Sequence, residues 1–412
     1  MRAALHNGGL LNRTLNALAP GDTLIIPQRT FHVMGGILVQ KRLANCTIRL
    51  DGTLDFSKNV AAWPRDGDGR VLACLDFTQG ADGVTFTSDS VGTMQGNGKV
   101  WWGIPGIGYL THAENRPRLF TMSENSTDVL LERWKFVQSP YWTVTFRVAF
   151  NLEIRHCSVL NHRRPRAKTH NAYELTAFNT DGFDLTGVSI WIHHCKIWTQ
   201  DDAIAIKDNT EDVLAEHIEA SGAGLSIGSI ASTVRNITFR DINMINPYRG
   251  IYLKFRTTDA EFSHKISLIK DVLYENIRIE NPEKYAVWIG PAQQSDSQAL
   301  CAAHPCSICW PELPRSECRA VEGAIFKNIM LRDVTIISPQ RSPGVVLADK
   351  DAPIQNVTFH NVVVTDPDRA EGDYHTCEGV AVGFATGNTN PVPKCFKDMT
   401  RKTTGVEITT DS

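Results

Sequence analysis

The chain has 412 residues, 42% hydrophobic and 21% charged, so it can bury a large core and is neither disordered nor membrane-spanning by composition. Its formal net charge is −3 with acids and bases interspersed, which excludes the broad basic field of a nucleic-acid or anionic-membrane binder. Any polyanion must therefore be gripped locally.

The first predicted element is a helix-like run, Leu10 to Leu18, expected as an N-terminal capping helix. The next segments, CTIRLDGTLDF from Cys46 and DGVTFTSDSVGTMQGNGKVWWG from Asp82, have a strand-and-glycine texture and read as first coils. From about residue 128 one pattern recurs: polar, aliphatic, any, apolar, any, polar, then aliphatic or Cys. Its copies are DVLLERW, NLEIRHC, SIWIHHC, DVLAEHI, NITFRDI, DVLYENI, NIMLRDV and NVTFHNV. Their first aliphatic residues, Val129, Leu152, Ile190, Val213, Ile237, Val272, Ile329 and Val357, are 23, 38, 23, 24, 35, 57 and 28 residues apart. Each copy alternates with period two, the signature of a strand with one buried face, and none shows the i, i+3, i+4, i+7 spacing of a helical repeat. The shortest spacings suit one coil of a solenoid. The expectation is an all-β, single-domain parallel β-helix over 1–412, decorated by a Cys-rich insertion at 295–320 and a C-terminal tail at 370–412.

Ten cysteines and five N-x-[ST] sequons, at Asn12, Asn45, Asn125, Asn236 and Asn356, suit an oxidising, glycosylating compartment. The N-terminus lacks the basic and apolar regions of a signal peptide. An extracellular protein is expected, its signal peptide absent from this chain. Cys301, Cys306, Cys309 and Cys318 read as a disulfide-stapled loop, with a zinc site as the other reading. Cys377 and Cys395 read as a local bridge, and Cys157 and Cys195, at equivalent places in neighbouring copies, as either a bridge or buried thiols.

Asp181 lies nine residues before Ile190 and Asp202 eleven before Val213, so stacking puts them on one face of adjacent coils, with Asp201 alongside. The same region of the following coils holds Ala223, within GAGLSIGS, and then Tyr252 and Lys254, within GIYLKFR. Clustered carboxylates repel one another, and glycoside hydrolysis is a chemistry that uses such a cluster: one protonated acid for the leaving oxygen, one carboxylate to activate water. Aspartates that merely end strands at turns are the plain alternative.

NTDGFDL at 179–185 followed by QDDAIAIK at 200–207 closely resembles the active-site motifs of the polygalacturonase family, glycoside hydrolase family 28. GNGKVWWG at 96–103, SPYW at 139–142, SIGS at 226–229 and Lys254 extend the likeness over roughly residues 90–290. The resemblance implies a right-handed, pectin-lyase-like parallel β-helix and metal-free, cofactor-free hydrolysis of pectic polymers with inversion. It implies Asp201 as general acid, Asp181 and Asp202 as the pair that holds and deprotonates water, and Asn179 as a residue that orients the cluster or touches the sugar. Lys254 would bind a uronate carboxylate, and Tyr285 resembles a subsite tyrosine.

Two positions depart from the family pattern: Ala223 stands for a histidine and Tyr252 for an arginine. A tyrosine there suits stacking on a sugar, so rhamnogalacturonan and xylogalacturonan join polygalacturonan as expected substrates. Trp101, Trp102, Trp142 and Trp191 are further candidate platforms, and the segment NHRRPRAKTHNAYE, with Arg163, Arg164, Arg166, Lys168 and His170, is a candidate grip on a polyanion. His193 and His194, inside a repeat strand, read as structural. The expected partner is an acidic plant or algal cell-wall polysaccharide, acted on by a monomer that binds neither nucleic acid nor membrane. Two other classes share the fold expectation: a uronan lyase or epimerase, and a carbohydrate-binding β-helix without turnover.

Overall fold

The computed structural model describes residues 1–103, 112, 115–163, 177–256, 266–292, 320–367 and 373–400. The Cys-rich run from Cys301 to Cys318, and Arg164, Arg166, Lys168 and His170, lie outside the described residues.

Thirty strands among the described residues form one continuous parallel sheet wound into a right-handed β-helix. The eight repeat positions inferred from spacing pair residue for residue: Val129 with Leu152, then Ile190, Val213, Ile237, Val272, Ile329 and Val357. All eight are buried. Each coil supplies apolar side chains that only its neighbours can cover, at about 1.5–3 kcal/mol per fully buried aliphatic side chain. Aromatic residues fill the axis in the same way, Phe239 stacking on Tyr274 with centroids 4.8 Å apart.

Backbone geometry explains the two polar positions of the repeat. The first, such as Asn151, Asp212 and Asn236, and the sixth, such as His156, Asp241 and Asn276, all adopt left-handed φ between 52° and 57°. Asn, Asp and His tolerate that conformation better than most side chains, so the polar punctuation marks the bends of each coil. Side-chain amides then bridge coils, Asn236 donating to Asp212, and Asn276 to Asp241 at 2.6 Å.

The predicted helix is present and longer than expected: α1 runs Arg2–Ala17. It closes the N-terminal end of the solenoid, with Met34 N–H donating to Ala4 O at 2.8 Å. The approach requires Gly8, because a Cβ there would sit 2.5 Å from Met34 O. No helix among the described residues is long and apolar enough to cross a membrane. Cys377 and Cys395 form a disulfide, with Cα atoms 5.6 Å apart. Cys157 and Cys195 occupy one ladder as free, buried thiols, so packing and not cross-linking is their contribution.

Candidate active site

The strand Phe183–His193 pairs with Ile204–Ile206, Phe183 opposite Ile204. Two residues back along that register, Asp181 meets Asp202, which is the alignment the repeat spacing implied. Asp181 is 4% and Asp202 1% exposed. One oxygen from each of Asp181, Asp201 and Asp202 lies within 4.8 Å of the other two.

The three carboxylates are held differently. Asp202 accepts hydrogen bonds from Ser226 Oγ and Lys254 Nζ, both at 2.7 Å. Asp201 accepts from the backbone N–H of Asp202 at 2.9 Å and of Asn179 at 3.1 Å. Asp181 Oδ1 has no hydrogen-bond partner among the described residues. Burial, then the Asp202 charge, pushes Asp201 up to about 6 against the pull of Lys254. Burial followed by Asp184 and Asp201 raises Asp181 well above the ordinary carboxylate range. Burial alone would lower the Lys254 ammonium, but Asp202, Tyr252 and Asp201 together hold it above its usual value. The cluster thus sets two carboxyl groups shifted toward the protonated form, Asp201 and Asp181, beside a third, Asp202, anchored by an ammonium and a hydroxyl, so a proton donor and an anchored carboxylate stand within reach of one substrate.

Among the remaining candidates, Asn179 is clamped between Asp201 and Arg116, whose Nη2 lies 3.4 Å from its Oδ1. Lys254 is bound to Asp202, so its ammonium is already engaged. The column inferred from sequence needs one correction. Leu225 pairs with Ile251 and Ser226 with Tyr252, so Ala223 is followed in its column by Arg249 and not by Tyr252. The segments between these coils differ in length, and counting residues across them misplaced the neighbour. Ala223 is 8% exposed and Tyr252 2%. The Tyr252 ring packs edge-on to Trp288, and Lys254 Nζ and the Arg249 guanidinium stand over it at 4.0 and 5.0 Å, so cations occupy the place expected for a sugar. Tyr285 is half-buried against Trp288 and His375, at 5.6 and 5.5 Å.

Trp142, half-buried, lies opposite Asp181 by the register of Val144 with Phe183, with Arg118 at 4.5 Å over its ring. Trp101 and Trp102 are core residues, and Trp191 is exposed on another face. Arg163 is buried and donates to Gly103 O at 2.8 Å, a structural use.

Besides Arg116 and Arg118, three further charged residues, Asp184, Lys207 and Arg249, escaped sequence reasoning. Asp184 is 2% exposed and paired with Lys207 Nζ at 3.1 Å, next to the trio. Their signal was available: each is a charge attached to an apolar strand, FDL and AIAIK. Arg249 is also 2% exposed, makes no ion pair among the described residues, and its Nε lacks a hydrogen-bond partner. Only the register connects it to the carboxylates.

The family model described as "Glycosyl hydrolases family 28" matches residues 22–386. A probable exopolygalacturonase B of Aspergillus terreus is 26% identical over 358 residues, covering 80% of this chain and 79% of that one. An endopolygalacturonase of Emericella nidulans is 26% identical over 361 residues, covering 82% of each. Among solved structures, the endo-xylogalacturonan hydrolase from Aspergillus tubingensis superposes with a TM-score of 0.59 at 17% identity, covering 97% of both chains. The polygalacturonase from Erwinia carotovora gives 0.61 at 18%, covering 91% of this chain and 93% of that one. At those identities the structures show a shared fold alone.

Proposed function

The chain belongs to family 28 of the glycosyl hydrolases and is a glycosidase, and from that premise we propose that it hydrolyses acidic pectic chains with Asp201 as proton donor and Asp181 and Asp202 as the pair that activates water. The observation that carries this reading is the convergence of three carboxylates within 4.8 Å, only one of them anchored by a lysine. Their nearest oxygens are closer than the spacing of about 6.5–9.5 Å at which two carboxyl groups flank a water during inversion. The 4.8 Å limit holds for Asp201 as well, so column position and not spacing is the ground for pairing Asp181 with Asp202 on the water and leaving Asp201 to face the leaving oxygen.

Cations around the cluster, together with the exo- and endopolygalacturonases among its relatives, support a uronate-containing substrate. With Lys254 engaged by Asp202, the substrate carboxylate falls to Arg249, one coil beyond Ala223. Arg249→Ala is expected to raise KM on polygalacturonan about ten- to a hundredfold, the worth of a charge-assisted hydrogen bond of about 1.5–3 kcal/mol, and to change KM little on the methyl-esterified chain. Equal losses on both substrates would assign Arg249 a purely structural role. The disulfide and the exposed sequon residues Asn45 and Asn125 favour an extracellular location.

The test of function is release of reducing ends from polygalacturonan, xylogalacturonan and rhamnogalacturonan, with and without chelator, and NMR of the first-formed anomer. Chelator-insensitive release of an inverted, saturated product supports the proposal. An unsaturated product would mark a lyase, and binding without release a non-catalytic β-helix.

A further inference from the structure

We infer that Arg118 binds a second uronate of the substrate chain, on the side of the catalytic pair opposite Arg249, so that the polymer is held by a guanidinium at either flank of the cut. Arg118 is then a recognition residue of the same cleft, and its role rests on the hydrolytic reading of the trio.

Strand register sets the residues concerned in one column. Phe120 pairs with Val144, Val144 with Phe183, Phe183 with Ile204, Ile204 with Leu225 and Leu225 with Ile251. Two residues back from each of these, the column reads Arg118, Trp142, Asp181, Asp202, Ala223, Arg249. Arg118 therefore stands two coils before Asp181, and Arg249 two coils after Asp202. With about 4.8 Å between neighbouring coils, each arginine lies about 10 Å along the axis from its side of the pair, and the two are about 24 Å apart. A pyranose ring is about as long as one coil is tall, so a chain laid along the column meets a guanidinium at roughly the second sugar on either side.

The two arginines are held alike. Arg118 stands over the rings of Trp142 at 4.5 Å and Tyr141 at 5.7 Å, and Arg249 over those of Tyr248 at 4.7 Å and Tyr252 at 5.0 Å. Each buries an Nε that has no hydrogen-bond partner, and among the described residues no carboxylate forms an ion pair with either. Asp76 and Asp184 are in electrostatic reach of Arg118, yet Asp76 accepts from Ser123 Oγ at 2.7 Å and Asp184 pairs with Lys207 Nζ at 3.1 Å. Lys207 and Lys254 are thus engaged by Asp184 and Asp202, whereas a guanidinium supported on aromatic rings keeps its planar fork for a substrate carboxylate. Trp142 is then the support that orients Arg118. The neighbouring column supplies a second observation: Thr121, Thr145 and Asp184 follow one another in register, and the two threonines, 3% and 6% exposed, bury hydroxyl oxygens without a hydrogen-bond partner. Unpaired buried hydroxyls cost stability, so their place beside Arg118 points to a polar chain running along this flank. Arg118 is half-buried and keeps part of its surface toward solvent.

The experiment follows hydrolysis of hexagalacturonate labelled at its reducing end, by the native chain and by Arg118→Ala, Arg118→Lys and Arg249→Ala. Arg118→Ala is expected to raise KM about tenfold with little change in kcat, and to change KM little on the methyl-esterified hexamer. Arg118→Lys should recover part of the loss, because it keeps the charge without the fork. The favoured cut should move toward one end of the chain in Arg118→Ala and toward the other end in Arg249→Ala. Should melting show Arg118→Ala unfolded, Arg118→Gln, which keeps a planar group over Trp142, carries the same test. Equal losses on the acidic and esterified hexamers with the cut unmoved, or a native KM and cut, would overturn the inference and leave the role of the trio standing. No cleavage of hexagalacturonate by the native chain overturns it as well, and silence on all three polymers overturns the hydrolytic reading with it.

Discussion

Asp201→Asn is expected to lower kcat on pectic chains by about 10²–10⁴-fold while the fold persists, because the amide cannot give a proton to the leaving oxygen. Asn at 201 can still accept a hydrogen bond from the Asn179 backbone, so the cluster should keep its shape. A synthetic glycoside whose leaving group needs no protonation should lose far less rate, and that contrast separates the donor role from simple disruption. Near-native turnover of the natural polymer by a folded variant would sink the assignment.

The pH dependence carries its own sign. Asp201 holds its proton up to about 6, so the native enzyme should lose activity as pH rises through that value. For stability, a carboxyl raised in the folded state contributes fully below its unfolded value of 3.8, and the contribution disappears as pH climbs through about 6. The melting temperature of Asp201→Asn should therefore improve relative to the native chain across that window. Thermal melts at matched pH values read the difference directly, and a constant offset would show that Asp201 titrates in its ordinary range.

Lys254→Met is expected to cost about 3–5 kcal/mol of stability, the usual penalty for leaving a buried carboxylate without its partner. Asp202 is 1% exposed and its only ion pair among the described residues is with Lys254, so no solvent is available to compensate. Denaturant unfolding measures the loss. The double variant Lys254→Met/Asp202→Asn should recover most of it without recovering activity, since the orphaned charge is gone but so is half of the water-binding pair. Equal stability of the single and double variants would mean that the ion pair contributes little. Because Lys254 is held above its ordinary value of 10.5, the pair's stabilisation is complete below that pH and is lost as pH rises through the raised value.

The β-helix was legible in the amino-acid sequence because its two determinants are local. Period-two alternation marks the buried strand face, and polar residues at fixed places mark left-handed bends, so the eight copies from Val129 to Val357 aligned correctly despite insertions between them. Asp181 and Asp202 could be superposed because each sits only a short distance ahead of a repeat start, nine and eleven residues, although a turn at 207–210 adds two residues on the Asp202 side. Where an irregular loop intervenes, that counting fails. Ala223 and Arg249 belong to coils joined by a segment of its own length, and their adjacency depends on how the backbone closes that turn. The same limit applies to the ion pairs. The motifs NTDGFDL and QDDAIAIK carry Asp184 and Lys207 beside the trio, but only packing assigns Lys254 to Asp202 and Lys207 to Asp184, because each pairing joins residues from different coils whose side chains meet only once the solenoid is wound.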